Sequence, residues 1–163
     1  EDGSQVRCVR QGVLPKAASY SAWYYLPEYA KTPGNWNLLH FQGGRMGQDD
    51  LHNLWDVSFT DEPVDAGTEL RLVVRDLINH KNYTIPKPVP LRSWFQLRVD
   101  LRRASDESGE FAFYLDGTQM LRLTNLVTDD SEWGQWYVGN LATSLNPPQS
   151  TLYVDDVEIL PIP

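Results

Sequence analysis

Glycine and proline recur at short spacing along the chain, and this punctuation constrains the fold more than any other feature of the sequence. The 163 residues include 11 glycines and 11 prolines, and short runs of alternating apolar and polar residues lie between them. Such runs are typical of strands in antiparallel sheets. No apolar period of about 3.6 residues persists over several turns. The sequence therefore predicts an all-β, antiparallel β-sandwich with short helices at most.

The runs between the turns define the predicted strands. Asp116-Gly117 predicts a hairpin turn, whereas the proline-rich stretch Ile85–Pro90 predicts a rigid loop. In the run Trp94–Arg102, alternate apolar residues predict one face toward the core and a polar face toward solvent. The ten predicted strands are Gln5–Arg10, Ser19–Leu26, Trp36–Gln42, Leu54–Thr60, Glu69–Asp76, Ser93–Arg102, Gly109–Leu115, Thr118–Thr124, Trp133–Asn140 and Thr151–Leu160.

Length and charge limit the classes of partner. A chain of 163 residues that is 41% hydrophobic is long enough for one domain with a sizeable core, so we expect a single domain over residues 1–163. The net charge is -8 and the longest basic run is Arg102-Arg103, which argues against nucleic acid as a partner. No segment approaches the roughly 20 apolar residues of a membrane span, so no membrane insertion is expected. The oligomeric state is not indicated.

The chain contains one cysteine, Cys8. A single cysteine excludes an internal disulfide and any cage of several thiolates around a metal. The sequence predicts that Cys8 is a small buried hydrophobic residue in the first strand.

Aromatic rings and polar groups are concentrated between Tyr20 and Gln42. A strand pair that sends Trp, Tyr, His and Gln toward one surface suits a sugar-binding face, because pyranose rings stack on aromatic rings and hydroxyls need amide or imidazole partners. The same composition also fits an ordinary sandwich core. Of the six tryptophans, we expect about half in the core.

A succession of motifs resembles a known family. The order of YSAWYYLPE, GNWNLLHFQGG, NLWDVSF, LRSWFQLRVDLRRASDESGEFAFYLDG, WGQWYVGN and TLYVDDVEI is similar to that of the heparin lyase I-like polysaccharide lyases. The resemblance covers roughly Ser19–Leu160 and implies a β-jelly roll of the concanavalin A-like superfamily, which also includes glucanases, lectins and carbohydrate-binding modules. It implies that a polysaccharide or oligosaccharide lies across the concave sheet, and that the protein is bacterial and extracellular or periplasmic.

Carried over by position, the resemblance assigns His40 and Gln42 to the glycan-facing surface, with Trp55 to Ser58 on the strand beside them. Lytic cleavage of a uronic acid polymer needs a group that neutralises the carboxylate, a base and an acid. The residues predicted for catalysis are His40, His80 and Tyr83, and those predicted for substrate binding are Gln42, Trp55, Ser58, Arg71 and Arg75.

Three functions stay open at this point. The first is recognition of a polysaccharide without cleavage. The second is an active lyase that cleaves a uronic acid-containing glycan by β-elimination, and the third is a structural or interaction module of an extracellular protein. A histidine on a strand is more often a hydrogen-bonded structural residue than a base, which favours the first over the second.

The acidic residues bear on two further kinds of site, one for hydrolysis and one for metal binding. Hydrolysis needs two facing carboxylates, but an E-x-D-x-x-E strand motif is missing, and the acidic pairs fit turn caps that stay solvated: Asp49-Asp50, Asp61-Glu62, Asp106-Glu107 and Asp129-Asp130. Asp155 and Asp156 interrupt the apolar closing strand and are predicted to point to opposite faces. An inward carboxylate needs either hydrogen-bond donors or a structural calcium ion. No cofactor is required by the sequence.

Overall fold

The computed structural model describes residues 3–45, 47, 51–129 and 131–162, which form eleven β-strands and no helix. No described helix is therefore long and apolar enough to cross a membrane. The strands are β1 (Gly3–Gly12), β2 (Ala17–Tyr25), β3 (Trp36–Gly44), β4 (His52–Val64), β5 (Gly67–Asp76), β6 (Lys81–Pro88), β7 (Trp94–Arg102), β8 (Gly109–Leu115), β9 (Thr118–Leu126), β10 (Trp133–Thr143) and β11 (Tyr153–Pro161).

The strands form two sheets that pack face to face. The six-stranded sheet has the order β1-β10-β3-β4-β5-β6, and the five-stranded sheet has the order β11-β2-β7-β8-β9. Every neighbouring pair is antiparallel. The predicted antiparallel sandwich of the jelly-roll type is confirmed.

Local sequence explains how the elements form. In β7 the alternate residues Phe95, Leu97, Val99 and Leu101 are buried, while the polar residues between them are half-buried on the outer face. The β8–β9 hairpin turns at Asp116-Gly117, whose φ angles of 51° and 73° are those that this dipeptide favours in a two-residue hairpin turn. Both features agree with the predictions.

One cluster of buried side chains joins the two sheets. Its largest members include Trp36, Trp55, Tyr20 and Tyr24, which are all 0% exposed. Trp36, Trp55 and Trp136 are buried, which is half of the six tryptophans, as expected. Burial of apolar area from both sheets provides the main driving force for the fold.

Strand β6 was missed by the sequence prediction. It begins at Lys81 and includes Pro86 and Pro88, in the stretch that was predicted to be a loop. It lies at the edge of the six-stranded sheet and pairs with β5 on one side only. Its prolines, which have no backbone N–H, therefore leave no second neighbouring strand without a hydrogen-bond donor. Prolines that argue against a central strand are therefore compatible with this position.

The prediction for Cys8 is wrong, because its side chain is exposed. Strand β1 is the opposite edge of the six-stranded sheet and pairs with β10 alone. Val6 in the same strand is 79% exposed. The inward face of β1 therefore borders an open cleft of about 460 Å³ beside β11, and the five-stranded sheet does not cover it.

The acidic pairs have different environments. The Asp106 carboxylate caps Ser108, as expected of a turn-capping residue. Asp61 instead lies half-buried within β4 and accepts hydrogen bonds from Tyr29 Oη at 2.8 Å and Thr32 N at 2.6 Å, so its prediction as a solvated turn cap is wrong. Asp129 is 5% exposed and binds Arg103, so the prediction that it stays solvated is wrong. Asp49, Asp50 and Asp130 lie outside the described residues.

Candidate functional site

Two rows of side chains cross the outer face of the six-stranded sheet. Directly opposed residues of antiparallel strands have side chains on the same face. The strand registers therefore define a His40 row and, next to it, an amide row. The His40 row is Val9, Tyr137, His40, Asp56, Arg75 and Asn82, and the amide row is Gln11, Gln135, Gln42 and Asn53.

Five predicted site residues share this outer face. His40 and Arg75 lie in the His40 row and Gln42 lies in the amide row. Ser58 is on the same face of β4 but is 0% exposed, so it can position neighbours and cannot touch a ligand. Arg71 lies further along β5, where Nε donates to Glu69 at 2.8 Å.

Trp55 does not belong to this face, and its prediction as a ligand contact is wrong. It is 0% exposed, stacks on Phe111 with centroids 4.2 Å apart, and donates from Nε1 to the Thr128 carbonyl at 2.9 Å. Residues at odd and even positions of a regular strand point to opposite faces. Because Ser58 faces outward, Trp55 faces the core.

The structure does not bring the three predicted catalytic residues together. Tyr83 is opposite Val74, a core residue, so its ring is on the inner side of β6. His80 is exposed in the turn between β5 and β6. His40 is on the outer face of β3, separated from β6 by two strands. Tyr83 and His80 therefore cannot act with His40 on one reacting atom in this arrangement.

The His40 imidazole is held by the amide row. Its Nε2 is 2.8 Å from Asn53 Oδ1, which also accepts a hydrogen bond from Gln42 Nε2 at 2.8 Å. Since Asn53 Oδ1 is an acceptor, His40 carries its proton on Nε2. Nδ1 is buried and has no hydrogen-bond partner among the described residues. Burial lowers the pKa of His40 to about 4, so the ring is neutral near pH 7.

Tyr137 and Arg7 lie beside this imidazole. The Tyr137 ring stacks on His40 with centroids 4.9 Å apart and an interplanar angle of 23°, and the Arg7 guanidinium lies 4.7 Å from the Tyr137 centroid. Burial raises the pKa of Tyr137, while Arg7 opposes this shift. The phenol is therefore protonated near neutral pH. Arg7 is exposed, so its positive charge is accessible above the sheet.

Asp56 is the buried carboxylate of the His40 row. It is 6% exposed, accepts a hydrogen bond from Ser58 Oγ at 3.0 Å, and lies 3.8 Å from Arg75 Nη1. Arg75 Nη1 also donates to Asn35 Oδ1 at 2.8 Å. Burial raises the pKa of Asp56 to about 6, although Arg75 and Ser58 both favour the charged form.

The amide row is the accessible part of the site. Gln11 and Asn53 are exposed, and Gln42 and Gln135 are half-buried. Gln135 Nε2 donates to Gln11 Oε1 at 3.1 Å, so the row contains two hydrogen-bonded amide pairs, Gln135 with Gln11 and Gln42 with Asn53. Trp133, which shares this face of β10 with Gln135, is half-buried at its end. Primary amides both donate and accept, which suits hydroxyl and carboxylate groups of a sugar.

Sequence reasoning missed Asn53, Tyr137 and Arg7 as parts of the site, and it gave Asp56, within the range Trp55 to Ser58, no role of its own. The alternation of β10 did place Trp133, Gln135 and Tyr137 on one face. It could not show that this face adjoins His40, because the register between β3 and β10 is set by residues nearly a hundred positions apart. Asn53 was missed because β4 begins two residues before its predicted start.

The predicted metal residues Asp155 and Asp156 are both exposed, so neither is directed into the core. They lie in a β-bulge of β11, where Asp156 has a φ of 46° and its N–H donates to Asp155 Oδ1 at 2.8 Å. Within the described residues, no group of three or more His, Cys, Asp or Glu is arranged to hold a metal ion. We therefore expect the same melting temperature with and without EDTA. A downward shift in EDTA would contradict this expectation.

Comparison with solved structures shows similarity to polysaccharide lyases. An endo-β-1,4-glucuronan lyase from the fungus Trichoderma reesei has a TM-score of 0.68 and 16% identity over 98% of this chain and 76% of its own. A marine alginate lyase from Aplysia kurodai has a TM-score of 0.61 and 11% identity, with 90% and 70% covered. An alginate lyase mutant in complex with an alginate trisaccharide has a TM-score of 0.58 and 14% identity, with 99% and 75% covered.

At these identities the similarity establishes a shared β-sandwich fold. No protein-family model matches the chain, and no curated protein sequence does. The chain spans about three quarters of the length of the glucuronan lyase.

Proposed function

We propose that the outer face of the six-stranded sheet binds a polysaccharide chain that contains uronic acid residues. The observation that carries the proposal is the amide row, which presents four adjacent primary amides on a sheet whose other face is the core. The proposal extends the resemblance to heparin lyase I-like proteins to this chain, and with it an extracellular or periplasmic location in a bacterium. The lyase fold of the structural neighbours supports it.

Local charge supports an acidic ligand although the whole protein is acidic. Arg7 and Arg75 flank the centre of the site, where the one carboxylate of the His40 row, Asp56, is buried. At physiological ionic strength, charges more than about 8 Å away are largely screened. The guanidinium groups therefore have more influence on a bound uronate than the net charge of -8 does.

Burial favours recognition over catalysis. His40 is 5% exposed and Tyr137 is 2% exposed, so both rings act mainly as a support under Arg7 and the amide row. A general base must come within about 3 Å of the proton that it removes. Gln42, Asn53 and Arg7 are the groups that a ligand reaches without rearrangement of the sheet.

The test is binding of polyuronates to the intact protein. Gln42→Ala should weaken binding of alginate or glucuronan oligosaccharides by roughly ten-fold, because a hydrogen bond to a charged group contributes about 1.5–3 kcal/mol. Isothermal titration calorimetry measures the change. Gln119→Ala is the matched control, since Gln119 is an exposed glutamine on β9 of the other sheet.

Equal losses in the Gln42 and Gln119 variants, or no binding of any polyuronate by the parent protein, would refute the proposed site. Failure of the parent protein to bind any polyuronate would favour an interaction module. The next step would then be to identify its protein partner.

One observation favours lytic cleavage as a second function. The neutral His40 has a lone pair at Nδ1 with no partner in the described part of the chain, and Tyr137 beside it keeps its phenolic proton. In β-elimination a base removes the C5 proton of the uronate, the electrons of that C–H bond form a double bond between C4 and C5, and the C4–O glycosidic bond breaks as its leaving oxygen takes a proton from an acid. The same titration samples should be followed by ultraviolet absorbance of the unsaturated product. An absorbance rise that disappears in His40→Gln would establish lyase activity.

A further inference from the structure

We propose that the outer face of the five-stranded sheet carries a second glycan-binding surface, which takes a neutral pyranose chain. The surface is an aromatic strip formed by Tyr153, Tyr25 and Trp94. It lies on the opposite side of the sandwich from the amide row, so the two surfaces do not share residues.

The strip results from strand register. Tyr153 of β11 is opposite Tyr25 of β2, which is opposite Trp94 of β7, so the three rings lie side by side across three strands. The centroid of Tyr25 is 5.6 Å from that of Trp94 and 6.0 Å from that of Tyr153. These spacings are close to the length of one sugar residue in an extended pyranose chain. Successive residues of such a chain can therefore stack on successive rings.

Two of the three rings of the strip are exposed and the third is half-buried. Trp94 is 47% exposed and Tyr153 is 54% exposed, whereas three other tryptophans are buried. Trp23, in the next row of β2, extends the aromatic surface and is half-buried. Elsewhere on the same face the outward positions are mainly polar, with Ser21 and Arg98 as examples. Adjacent exposed rings on a mainly polar sheet face are typical of a binding surface rather than of scattered apolar residues.

Polar groups for sugar hydroxyls lie next to the strip. Tyr153 also lines a surface cleft of about 570 Å³, whose walls include Gln149, Ser150 and Thr151. A chain that stacks on the rings can extend into this cleft. Ligand sites combine apolar surface with a few oriented polar groups, and this arrangement has both.

The local charge selects a neutral ligand. Asp155 lies opposite Trp23, Glu158 follows on β11, and Glu28 lines the cleft. Arg92, two residues before Trp94, donates from Nε to the Pro27 carbonyl at 3.3 Å, and Arg98, further along β7 on the same face, pairs with Asp100 at 3.3 Å. Because Asp100 offsets the Arg98 charge, Asp155, Glu158 and Glu28 leave an excess of negative charge near the rings, which disfavours a polyuronate at the strip. This preference is the reverse of that at Arg7 and Arg75.

The ring angles further restrict the ligand. Tyr25 is inclined by 49° to Trp94 and by 63° to Tyr153, so the strip is twisted and does not form a flat platform. A twisted strip fits a soluble chain whose sugar planes rotate along its length. It does not fit the flat face of a crystalline polymer. The inferred ligand is therefore a soluble neutral polysaccharide strand.

The experiment uses cellohexaose, xylohexaose and mannohexaose as probes in calorimetric titrations of the intact protein. We expect binding of at least one of them, and Trp94→Ala should weaken it by roughly ten-fold. Leu160→Ala is the matched control, because Leu160 is an exposed apolar residue on the same sheet face, opposite Ser19. Gln42→Ala should leave this binding unchanged, which separates it from the proposed polyuronate site.

Several outcomes would overturn the inference. They are no binding of any of the three oligosaccharides, equal binding by the parent protein and Trp94→Ala, or equal losses in Trp94→Ala and Leu160→Ala. A dimer in the parent protein that Trp94→Ala converts to a monomer would also overturn it, because a second copy would then cover the strip. Since Trp94 is half exposed, its variant should melt near the parent temperature, and Tyr153→Ala provides an independent second variant.

Discussion

Arg103→Ala is expected to lower the free energy of unfolding by about 3–5 kcal/mol, the range measured when one partner of a buried ion pair is removed. The side chains of Arg103 and Asp129 are 8% and 1% exposed. Without the guanidinium, the Asp129 carboxylate would stay buried with no positive partner. Urea unfolding at neutral pH measures the change.

The position of Arg103 explains why its removal affects more than one contact. Its Nη1 donates to the Leu14 carbonyl at 2.6 Å, and its Nη2 donates to the Ser131 carbonyl at 2.8 Å. Asp129 in turn accepts a hydrogen bond from the Ser131 N–H at 2.8 Å. One side chain thus connects the segment before β2, the end of β7 and the segment before β10.

Two variants make this prediction specific. Arg122→Ala removes an exposed pair with Glu110, whose closest distance is 3.4 Å, and should cost less than about 1 kcal/mol. Combining Arg103→Ala with Asp129→Asn should recover part of the stability, because the unpaired charge is removed. If Arg103→Ala lowers the free energy of unfolding by no more than Arg122→Ala does, the Arg103–Asp129 pair does not stabilise the fold as expected.

The fold was largely predictable because strand alternation and turn residues are local signals. The alternation predicted for β7 and the hairpin turn predicted at Asp116-Gly117 are both present in the structure. Strand β6 was not predicted, because prolines are tolerated in a strand only at a sheet edge, and whether a strand lies at an edge depends on distant strands.

The candidate site was predictable only in part. His40 and Gln42 were placed on one face by their spacing, but Trp55 and Ser58 differ in parity and could not both join them. The contact between His40 and Tyr137 depends on strand pairing across most of the chain. Arg103 and Asp129 meet through loops, for which the sequence has no periodic signal.

Asp56→Asn is expected to stabilise the protein near pH 7 by up to about 3 kcal/mol, and this gain should vanish near pH 4. The pKa of Asp56 is raised from 3.8 to about 6, chiefly by burial. The folded state therefore binds this proton more tightly than the unfolded state, and the contribution to stability is lost as pH rises through 6. A shift of about two pKa units corresponds to roughly 3 kcal/mol.

His40 has the opposite linkage. Burial lowers its pKa from 6.5 to about 4, so the folded state binds this proton less tightly. Its contribution to stability is present above pH 6.5 and is lost as pH falls through 4, again by roughly 3 kcal/mol. Between about pH 4 and pH 6 the two neighbours in the His40 row therefore offset each other, and the parent protein should show little pH dependence from this pair.

Variants separate the two contributions. In Asp56→Asn, only the titration of His40 contributes to the pH dependence from this pair, so the free energy of unfolding should rise with pH between about pH 4 and pH 6.5. In His40→Gln, only the titration of Asp56 contributes, and the free energy of unfolding should fall as pH rises from about 4 to 6. Urea unfolding at a series of pH values measures all three proteins, and nuclear magnetic resonance titration of the His40 ring gives its pKa directly. Parallel pH profiles for the parent and both variants would show that the two groups are not buried as described. Under the proposed function, a uronate bound to the outer face would compete with Asp56 for Arg75, which lies 3.8 Å from Asp56, and would thereby alter the pKa of Asp56 and the pH dependence of stability.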